Sequence, residues 1–473
     1  MSYSITETSK FLFVLGSNWQ LSIAELDNVL KNSQFKGKII DYSANIAIVQ
    51  FESLHREKLY LNKLMELQFI LGGCQKIALI QDFIDNRTIN DAFPARIEKY
   101  KHVEKTREKI LVIIKSILPR VFPNIKNESI FFAVSIYPNL FDEEYYSEVL
   151  VKHFLPFLNK EIMRLTYDYG AKKCLYYKYP DKNIKSGKLN PIFPHHIIKY
   201  GLFNKDRAEI IFGFTEEGCY ISRTFTADDP NFKKKIDEER PFKEFKSSVS
   251  PKLAVIMLNF LNLFEEREKK IILDPFVGNG IIPMLALIQD FQIYGSDKDQ
   301  KKVNNTIRNL NWLLDELEEE TPFYLDKRVI ISDITDLSMN FHQEFFDGIS
   351  TEPPLGPFFK SKPYYNEIKD LIEEELEPTY DQFFRESSKV LKQNGRICFV
   401  APIFSTIDGG ELQINIEKIA VQHEFSLIPM MDANRIVNKS NVKLQFKKKH
   451  MRTLIDAKKG QIVKRKFYVF EKQ

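Results

Sequence analysis

The second half of the chain alternates short apolar runs with stretches of helical periodicity. Four apolar runs are rich in β-branched residues and lead into polar or acidic side chains, at 271–274, 292–297, 329–333 and 348–356. Helical patterns lie at 252–264 and 380–391, and 396–402 is a further strand candidate. Because parallel strands need crossover helices, the pattern predicts a mainly parallel sheet with helices on both faces.

The beginning of the chain has a different pattern. Strand patterns at 10–16, 39–41 and 46–51 are accompanied by helical patterns at 22–30 and 59–71. Ser22 and Glu25 have the spacing of a capping box, which predicts that the first helix starts there. This βαββαβ-like order predicts a small α+β unit.

The next part of the chain divides into two segments. A basic helical pattern at 94–118 and a clear strand at 131–137 begin a second α+β region, which runs to Thr226. Residues 227–249 are weakly periodic and rich in Asp, Lys and Pro, which predicts an extended linker. We therefore predict an α+β domain over 1–88, a second over 89–226, a linker over 227–249 and a Rossmann-like domain over 250–473.

Composition indicates a globular protein with more than one core. The chain has 473 residues, of which 44% are hydrophobic and 28% charged. We expect no membrane segment and no signal peptide, because no apolar run is long enough and the first residues are polar. The four cysteines have no CxxC spacing, which argues against disulfides or a metal site and favours a cytoplasmic location.

The net charge of +4 conceals basic segments at 164–188 and 435–473 and acidic ones at 315–320 and 373–375. Clustered positive charge favours binding to a polyanion through phosphate contacts, whereas the alternative is an ordinary solvated surface. The candidate phosphate contacts are Arg164, Lys172, Lys173, Lys185, Lys188, Lys447, Lys448 and Lys449.

Candidate binding chemistry lies at the ends of the first three strands. The first leads into Asp274-Pro275-Phe276-Val277-Gly278-Asn279-Gly280, and the next two end in Asp297 and Asp333. Glycines at such a turn let the backbone approach a ligand, and the following helix offers free N–H groups. An acid at a strand end can alternatively cap a helix.

This series resembles S-adenosylmethionine-dependent methyltransferases that act on exocyclic amines. The resemblance implies that Asp274 lies beside the amino acid part of the cofactor and that the Gly278 and Gly280 turn makes room for it. It further implies that Asp297 accepts hydrogen bonds from the ribose hydroxyls and Asp333 from the adenine amino group. Pro275 and Phe276 belong to the same cofactor-binding turn.

The fourth strand leads into Glu352-Pro353-Pro354-Leu355. Amine methyltransferases have Asp, Asn or Ser, then Pro-Pro and an aromatic residue at these places. Their polar side chain and a proline carbonyl accept hydrogen bonds from the target amine, and the aromatic ring stacks on the base. By this resemblance Glu352 and the Pro353 carbonyl are the amine acceptors, in a catalytic site with Pro354 and Leu355. Glu352 adds a methylene to the usual acceptor, and Leu355 has no aromatic face.

With its first half included, the chain resembles the THUMP-domain tRNA guanosine-N2 methyltransferases, which act on guanosine 10 of tRNA. Residues 11–16 and 21–26 look like their ferredoxin-like domain, and 189–194, 199–202, 208–212 and 219–224 look like the end of a THUMP domain. Arg240-Pro241-Phe242 with 250–254 is similar to their junction with the catalytic domain, and 461–469 to their closing strand. In that junction Ser250 and Lys252 lie against the cofactor.

The resemblance implies an α/β chain in which α+β ferredoxin-like and THUMP domains precede a Rossmann-like methyltransferase domain. It implies S-adenosyl-L-methionine as cofactor and tRNA as partner, with a small zinc-binding activator subunit in eukaryotic relatives.

Two other hypotheses remain open. The Pro-Pro motif is shared with DNA amine methyltransferases, and the departures at Glu352 and Leu355 allow a catalytically silent RNA-binding member of the family.

Overall fold

A computed structural model describes residues 10–52, 57–94, 103–140, 145–187, 191–243, 249–318, 325–447 and 451–473. Within these residues the backbone forms one sheet of eight strands and one of nine. The first contains β1 (Lys10–Leu15), β2 (Gly37–Tyr42), β3 (Ile46–Phe51), β4 (Cys74–Asp85), β5 (Ser129–Tyr137), β6 (Lys173–Tyr176), β7 (Arg207–Phe214) and β8 (Gly218–Ala227). Its helices are α1 (Trp19–Leu30), α2 (Glu57–Ile70), α3 (Asn86–Ala92), α4 (Val103–Val121), α5 (Leu155–Asp168), α6 (Asp181–Ser186) and α7 (Pro194–Tyr200).

The first sheet runs without interruption through both upstream segments. Its order is β2-β3-β1-β4-β8-β7-β5-β6, and the long strands β4 and β8 pair antiparallel at its centre. The elements from β1 to β4 follow the predicted strand-helix-strand-strand-helix-strand order, with antiparallel neighbours. The remaining four strands share a core with α4 and α5 that includes Ile110, Phe132, Phe154 and Phe212. Of the helix predicted over 94–118, residues 95–102 lie outside the described residues.

The predicted capping box at the start of α1 is wrong. The helix begins one turn earlier, at Trp19, and the Asn18 side chain caps it by accepting a hydrogen bond from the Leu21 N–H at 3.3 Å. Glu25 instead lies fully buried inside the helix. Its carboxylate accepts hydrogen bonds from the Gly72 and Gly73 N–H groups at 2.8 and 2.7 Å. Glu25, which the local spacing assigned to a helix cap, therefore forms long-range hydrogen bonds instead.

The second sheet contains β9 (Ile271–Asp274), β10 (Gln292–Asp297), β11 (Val329–Ile331), β12 (Phe346–Thr351), β13 (Leu391–Ser405), β14 (Glu411–Gln413), β15 (Phe425–Ile428), β16 (Leu454–Asp456) and β17 (Val463–Lys472). The helices of this half are α8 (Pro230–Glu239), α9 (Pro251–Phe260), α10 (Ile281–Ile288), α11 (Gln300–Glu316), α12 (Leu325–Arg328), α13 (Leu337–Asn340), α14 (Tyr365–Leu371), α15 (Glu377–Val390) and α16 (Ile416–Val421). In the ranges that the structure describes, no helix combines the length and the apolar character needed to cross a membrane.

The order of the second sheet is β11-β10-β9-β12-β13-β17-β15, with β14 beside β13 and β16 beside β17. Strands β9 to β13 are parallel, as predicted, whereas β17 is antiparallel to both β13 and β15. Both faces are covered, because Ile272 joins the core with α9 to α11 and Leu273 joins the core with α15. From β9 the chain continues to β10 and β11 on one side of the sheet. It then returns to β12, which lies on the other side of β9. Ligands of such sheets bind at this topological switch point, outside the carboxyl ends of the strands.

The extended linker predicted over 227–249 contains a helix, so its predicted conformation is wrong. Helix α8 begins at Pro230, a residue well suited to the first helical turn because it needs no N–H partner there. Ile236 is fully buried in the core with α9 to α11. The buried Arg240 guanidinium donates to the Ile236 carbonyl at 2.8 Å. The buried Ile236 side chain and the buried Arg240 guanidinium help to hold this polar helix in place, and neither produces a clear periodic pattern.

Candidate functional site

The loop after β9 adopts a conformation that requires two glycines. Gly278 and Gly280 have φ angles of +52° and +82°, in the left-handed region. A Cβ at Gly280 would lie 2.8 Å from Thr306 Cγ2, whereas a Cβ at Gly278 would meet only the Phe276 carbonyl oxygen, at 3.9 Å. Gly280 is also the N-cap of α10 and has no side chain that could cover the first N–H groups of that helix. The loop therefore offers space and hydrogen-bond donors to a ligand.

Asp297, at the end of β10, faces this loop. Its Oδ2 accepts a hydrogen bond from the Gly278 N–H at 3.1 Å, and its Oδ1 accepts one from the Asp299 N–H at 3.0 Å. Strands β9 and β10 are parallel neighbours in which Gly295 is paired with Asp274. The sheet thus brings together Asp274, Gly278, Gly280 and Asp297, which are four of the predicted cofactor-binding residues.

Two side chains of α11 that sequence reasoning missed support the glycine loop. The Thr306 hydroxyl donates to the Gly278 carbonyl, and Asn309 Nδ2 donates to the Asn279 carbonyl, both at 2.8 Å. Asn309 also binds the backbone of Phe242, whose N–H donates to its Oδ1 at 3.0 Å. The available signal was two polar residues at i and i+3 on the buried face of an amphipathic helix. Asn309 thereby connects the loop to the Arg240-Pro241-Phe242 motif.

Asp274 is buried at the end of β9 and hydrogen-bonded to the neighbouring strand. Its Oδ1 accepts from the Thr351 hydroxyl at 2.7 Å and from the Phe276 N–H at 3.2 Å. Burial raises the pKa of Asp274 to about 7, although both hydrogen bonds lower it, and the charges of Asp297 and Glu352 add to the increase. The carboxyl is therefore costly to ionise in the protein without a cationic partner.

This buried carboxyl predicts a pH dependence of stability. Between its ordinary pKa of 3.8 and its pKa of about 7 in the protein, the folded state binds more protons than the unfolded state, so stability falls as pH rises. From pH 5 to pH 8 we expect the wild type to lose about 2–3 kcal/mol of unfolding free energy that Asp274→Asn does not lose. Urea unfolding of both proteins at the two pH values measures this difference.

The control for that prediction is Asp91→Asn, which changes an aspartate that is 56% exposed on α3. Its unfolding free energy should follow the wild type at both pH values. Equal losses in the wild type and Asp274→Asn would show that the Asp274 carboxyl does not titrate in this range.

Glu352 follows β12 and is paired with an arginine on a strand two places away in the second sheet. Arg465, on β17, donates from Nε to Glu352 Oε1 at 2.6 Å and from Nη2 to Oε2 at 3.3 Å. The two side chains are only 10% and 17% exposed. The Pro354 carbonyl accepts a hydrogen bond from the Tyr380 hydroxyl at 2.7 Å. Sequence reasoning identified Glu352 but neither of these partners.

The remaining predicted site residues have local structural contacts. Asp333 caps a short 3₁₀ turn, where its Oδ1 accepts hydrogen bonds from Thr335. Ser250 caps α9, and Lys252 is half exposed with its Nζ 4.0 Å from Asp228. Pro275 is buried, Pro353 is buried, and Phe276 and Leu355 are partly buried against the two cores of this half. The binding roles of these residues stay predictions.

The predicted phosphate contacts are only partly described. Lys172, Lys173, Lys185 and Lys447 are exposed. Arg164 is half exposed and forms ion pairs with Glu161 at 2.8 Å and Asp168 at 2.9 Å. Lys188, Lys448, Lys449 and the predicted motif residues 189–190 lie outside the described residues.

Comparison with known proteins finds relatives of one kind. No protein-family model matches the chain. A tRNA (guanine(10)-N2)-dimethyltransferase of Methanothermobacter thermautotrophicus is 26% identical over 208 residues, which are 43% of this chain and 53% of that protein. A protein of Methanothermococcus thermolithotrophicus named "Probable tRNA (guanine(10)-N2)-dimethyltransferase" is 26% identical over 156 residues, 32% of this chain and 79% of that protein. The chain thus spans about half the length of the first relative.

Among solved structures, TrmN from Thermus thermophilus is similar over 98% of this chain and 100% of its own, with a TM-score of 0.49 and 13% identity.

Proposed function

We propose that this protein is a tRNA methyltransferase that uses S-adenosyl-L-methionine to methylate the exocyclic N2 amine of a guanosine, at position 10. One observation carries the proposal. Asp274, the loop with Gly278 and Gly280, Asp297 and Glu352 meet at the carboxyl ends of β9, β10 and β12, beside the topological switch point. The names of the two archaeal relatives support the choice of reaction, base and position.

The chemistry of the loop fits this cofactor. S-Adenosylmethionine supplies an electrophilic methyl group and carries a carboxylate, an ammonium group, a ribose diol and an adenine amino group. The N–H groups at the start of α10 suit the carboxylate, and buried Asp274 suits the ammonium group. Asp297 would accept hydrogen bonds from the diol, and Asp333 from the adenine amino group. Pro275, Phe276, Ser250 and Lys252 would line the same site.

Glu352 and the Pro353 carbonyl would hold the target amine. The lone pair of an exocyclic amine is delocalised into the base, which makes the nitrogen a poor nucleophile. Two acceptors for its N–H groups favour a pyramidal nitrogen, on which the lone pair is localised. Because methyl transfer is an in-line displacement, orienting this nitrogen is the main task of the protein groups.

The upstream domains would bind the tRNA. We propose a ferredoxin-like domain over 1–88 and a THUMP-like domain over 89–226, joined through 227–249 to the methyltransferase domain over 250–473. The β2-β3-β1-β4 order of the first four strands supports the ferredoxin-like assignment. The exposed lysines of the second domain are suited to phosphate contacts.

The test is methyl transfer from labelled S-adenosylmethionine to unmodified tRNA transcripts that carry guanosine or adenosine at position 10. We expect incorporation with guanosine and a loss of incorporation with adenosine. Duplex DNA is the second substrate, and incorporation into DNA alone would favour the DNA amine methyltransferase hypothesis. Cofactor binding by calorimetry, without transfer to either substrate, would contradict the proposed activity of the chain alone. A zinc-binding activator would then have to restore transfer.

A further inference from the structure

The proposed function does not explain why Glu352 has a buried arginine as its partner. Glu352 and Arg465 are 113 residues apart in the chain and form two hydrogen bonds, of 2.6 and 3.3 Å. Both side chains are more than four-fifths buried. Buried ion pairs contribute little to stability, because the cost of desolvation offsets the attraction between the charges. A functional explanation of this pair is therefore worth testing.

The position of Arg465 is determined by strands on both sides of it. In the antiparallel ladders of β17, Arg465 is paired with Pro402 on β13 and with Asp456 on β16. Asp456 Oδ1 accepts a hydrogen bond from Asn18 Nδ2 at 3.1 Å, and Asn18 also caps α1. Arg465 is thus the third residue of a strand whose neighbour β16 is hydrogen-bonded to Asn18 at the start of α1.

The glutamate in this motif creates a need for such a partner. Glutamate has one more rotatable bond than the aspartate at the same place in amine methyltransferases, so its carboxylate has more positions to occupy. The planar guanidinium binds both oxygens and fixes the carboxylate plane. Each oxygen of a carboxylate has two acceptor sites, so acceptor capacity remains for the N–H group of an amine.

To act only as an acceptor of hydrogen bonds from an amine, the Glu352 carboxyl must also be ionised. Burial holds the pKa of Glu352 above its ordinary value, and the hydrogen bonds and charge of Arg465 limit this increase. The other titratable groups near Glu352 are Asp456 on β16, Asp274 on β9 and Tyr380 on α15. Among these neighbours, Arg465 supplies the positive charge that favours the ionised, hydrogen-bond-accepting carboxylate.

We infer that Arg465 is a positioning residue for the reaction: its guanidinium orients the Glu352 carboxylate and keeps it ionised for the target amine. This inference rests on the proposed function. It also explains how a glutamate can replace the shorter acceptor of related enzymes, since the arginine compensates for the added methylene.

The test compares Arg465→Met and Arg465→Lys with Arg396→Met. Arg396 on β13 pairs with Glu471 on β17 at 2.9 Å, with side chains 21% and 25% exposed. Its loss therefore breaks an ion pair that β17 forms with its neighbour β13, away from Glu352. The measurements are kcat and KM for tRNA as a function of pH, the Kd of S-adenosylhomocysteine and the unfolding midpoint.

We expect Arg465→Met to lower kcat about 10- to 100-fold, because a misplacement of about 1 Å can cost on the order of 100-fold in rate. The KM for tRNA and the Kd of the cofactor product should change little. The acid limb of the kcat profile should move to higher pH, and Arg465→Lys should restore part of the rate. Arg396→Met should keep the wild-type rate and profile.

An active wild type with an unchanged rate and pH profile in Arg465→Met would overturn the inference and leave the proposed function intact. A faster Arg465→Met would also overturn it, because the ion pair would then block the acceptor. If the wild type transfers no methyl group to tRNA, the proposed function fails, and the role of Arg465 fails with it.

Discussion

Glu352→Ala is expected to reduce kcat for tRNA methylation by about 10²–10³-fold, the size of effect seen when a preorganised polar group at a reacting centre is removed. Glu352 is the side-chain acceptor for the amine in the proposed site, and the variant leaves only the Pro353 carbonyl. The Kd for S-adenosylhomocysteine should stay nearly unchanged, because the glycine loop and Asp297 are intact. Single-turnover methylation and calorimetry measure the two quantities.

The control for Glu352→Ala has to account for Arg465, which loses its hydrogen bonds to Glu352. Glu471→Ala removes the carboxylate that pairs with Arg396, so it breaks another partly exposed ion pair of β17 away from the site. It should retain the wild-type rate. A matched loss of rate and cofactor affinity in Glu352→Ala would contradict the role of Glu352 as amine acceptor.

The Glu-Pro-Pro-Leu motif can also be converted to the usual one. If the wild type binds cofactor without turnover, Glu352→Asp combined with Leu355→Tyr tests whether motif geometry is the cause. Activity in this double variant would identify the wild type as a catalytically silent member of the family.

Asp297→Ala is expected to raise the Kd for S-adenosylhomocysteine about 10- to 100-fold, since each hydrogen bond to a charged group contributes about 1.5–3 kcal/mol. The variant loses the proposed acceptor for the ribose hydroxyls. It also frees the Gly278 N–H, which Asp297 Oδ2 holds at 3.1 Å, so the loop is less well ordered for binding. Calorimetry with S-adenosylhomocysteine measures the effect.

Affinity for tRNA provides the internal control for Asp297→Ala. It should be unchanged, because the proposed phosphate contacts lie in other parts of the chain. Asp326→Ala, on the exposed surface of α12, should change neither affinity. A wild-type Kd for the cofactor product in Asp297→Ala would remove Asp297 from the binding site.

Much of the second half of the chain could be predicted from its sequence. The strands β9 and β10 have the predicted bounds, and Asp274 and Asp297 lie at their carboxyl ends as expected. Strand β9 is a continuous apolar run, as expected for a buried parallel strand, so its end is marked by the first polar residue, Asp274. Parallel neighbours then bring these ends to one edge, which is why chain order alone indicated a shared site. Gly278 and Gly280 have positive φ angles, which the sequence analysis did not predict.

The failures of prediction share one physical origin. Ser22 and Glu25 have the local spacing of a cap, yet Glu25 instead binds Gly72 and Gly73 from another element. Helix α8 was missed because the burial of Ile236 depends on a core formed by distant helices. In each case a long-range contact gives a residue a different role from the one that its neighbours in the sequence suggest.

The sequence by itself determined the alternation of strands and helices, the positions of the acids and glycines at strand ends, and Glu352 as candidate acceptor. The strands, helices and strand-end residues follow from periodicity and from backbone conformations that few residues adopt, and both are local properties. The role of Glu352 follows instead from the resemblance to amine methyltransferases. Only the tertiary structure decided that Arg465 faces Glu352 and that Thr306 and Asn309 support the glycine loop. Such pairings depend on sheet order and helix packing, which bring together residues that no local pattern connects.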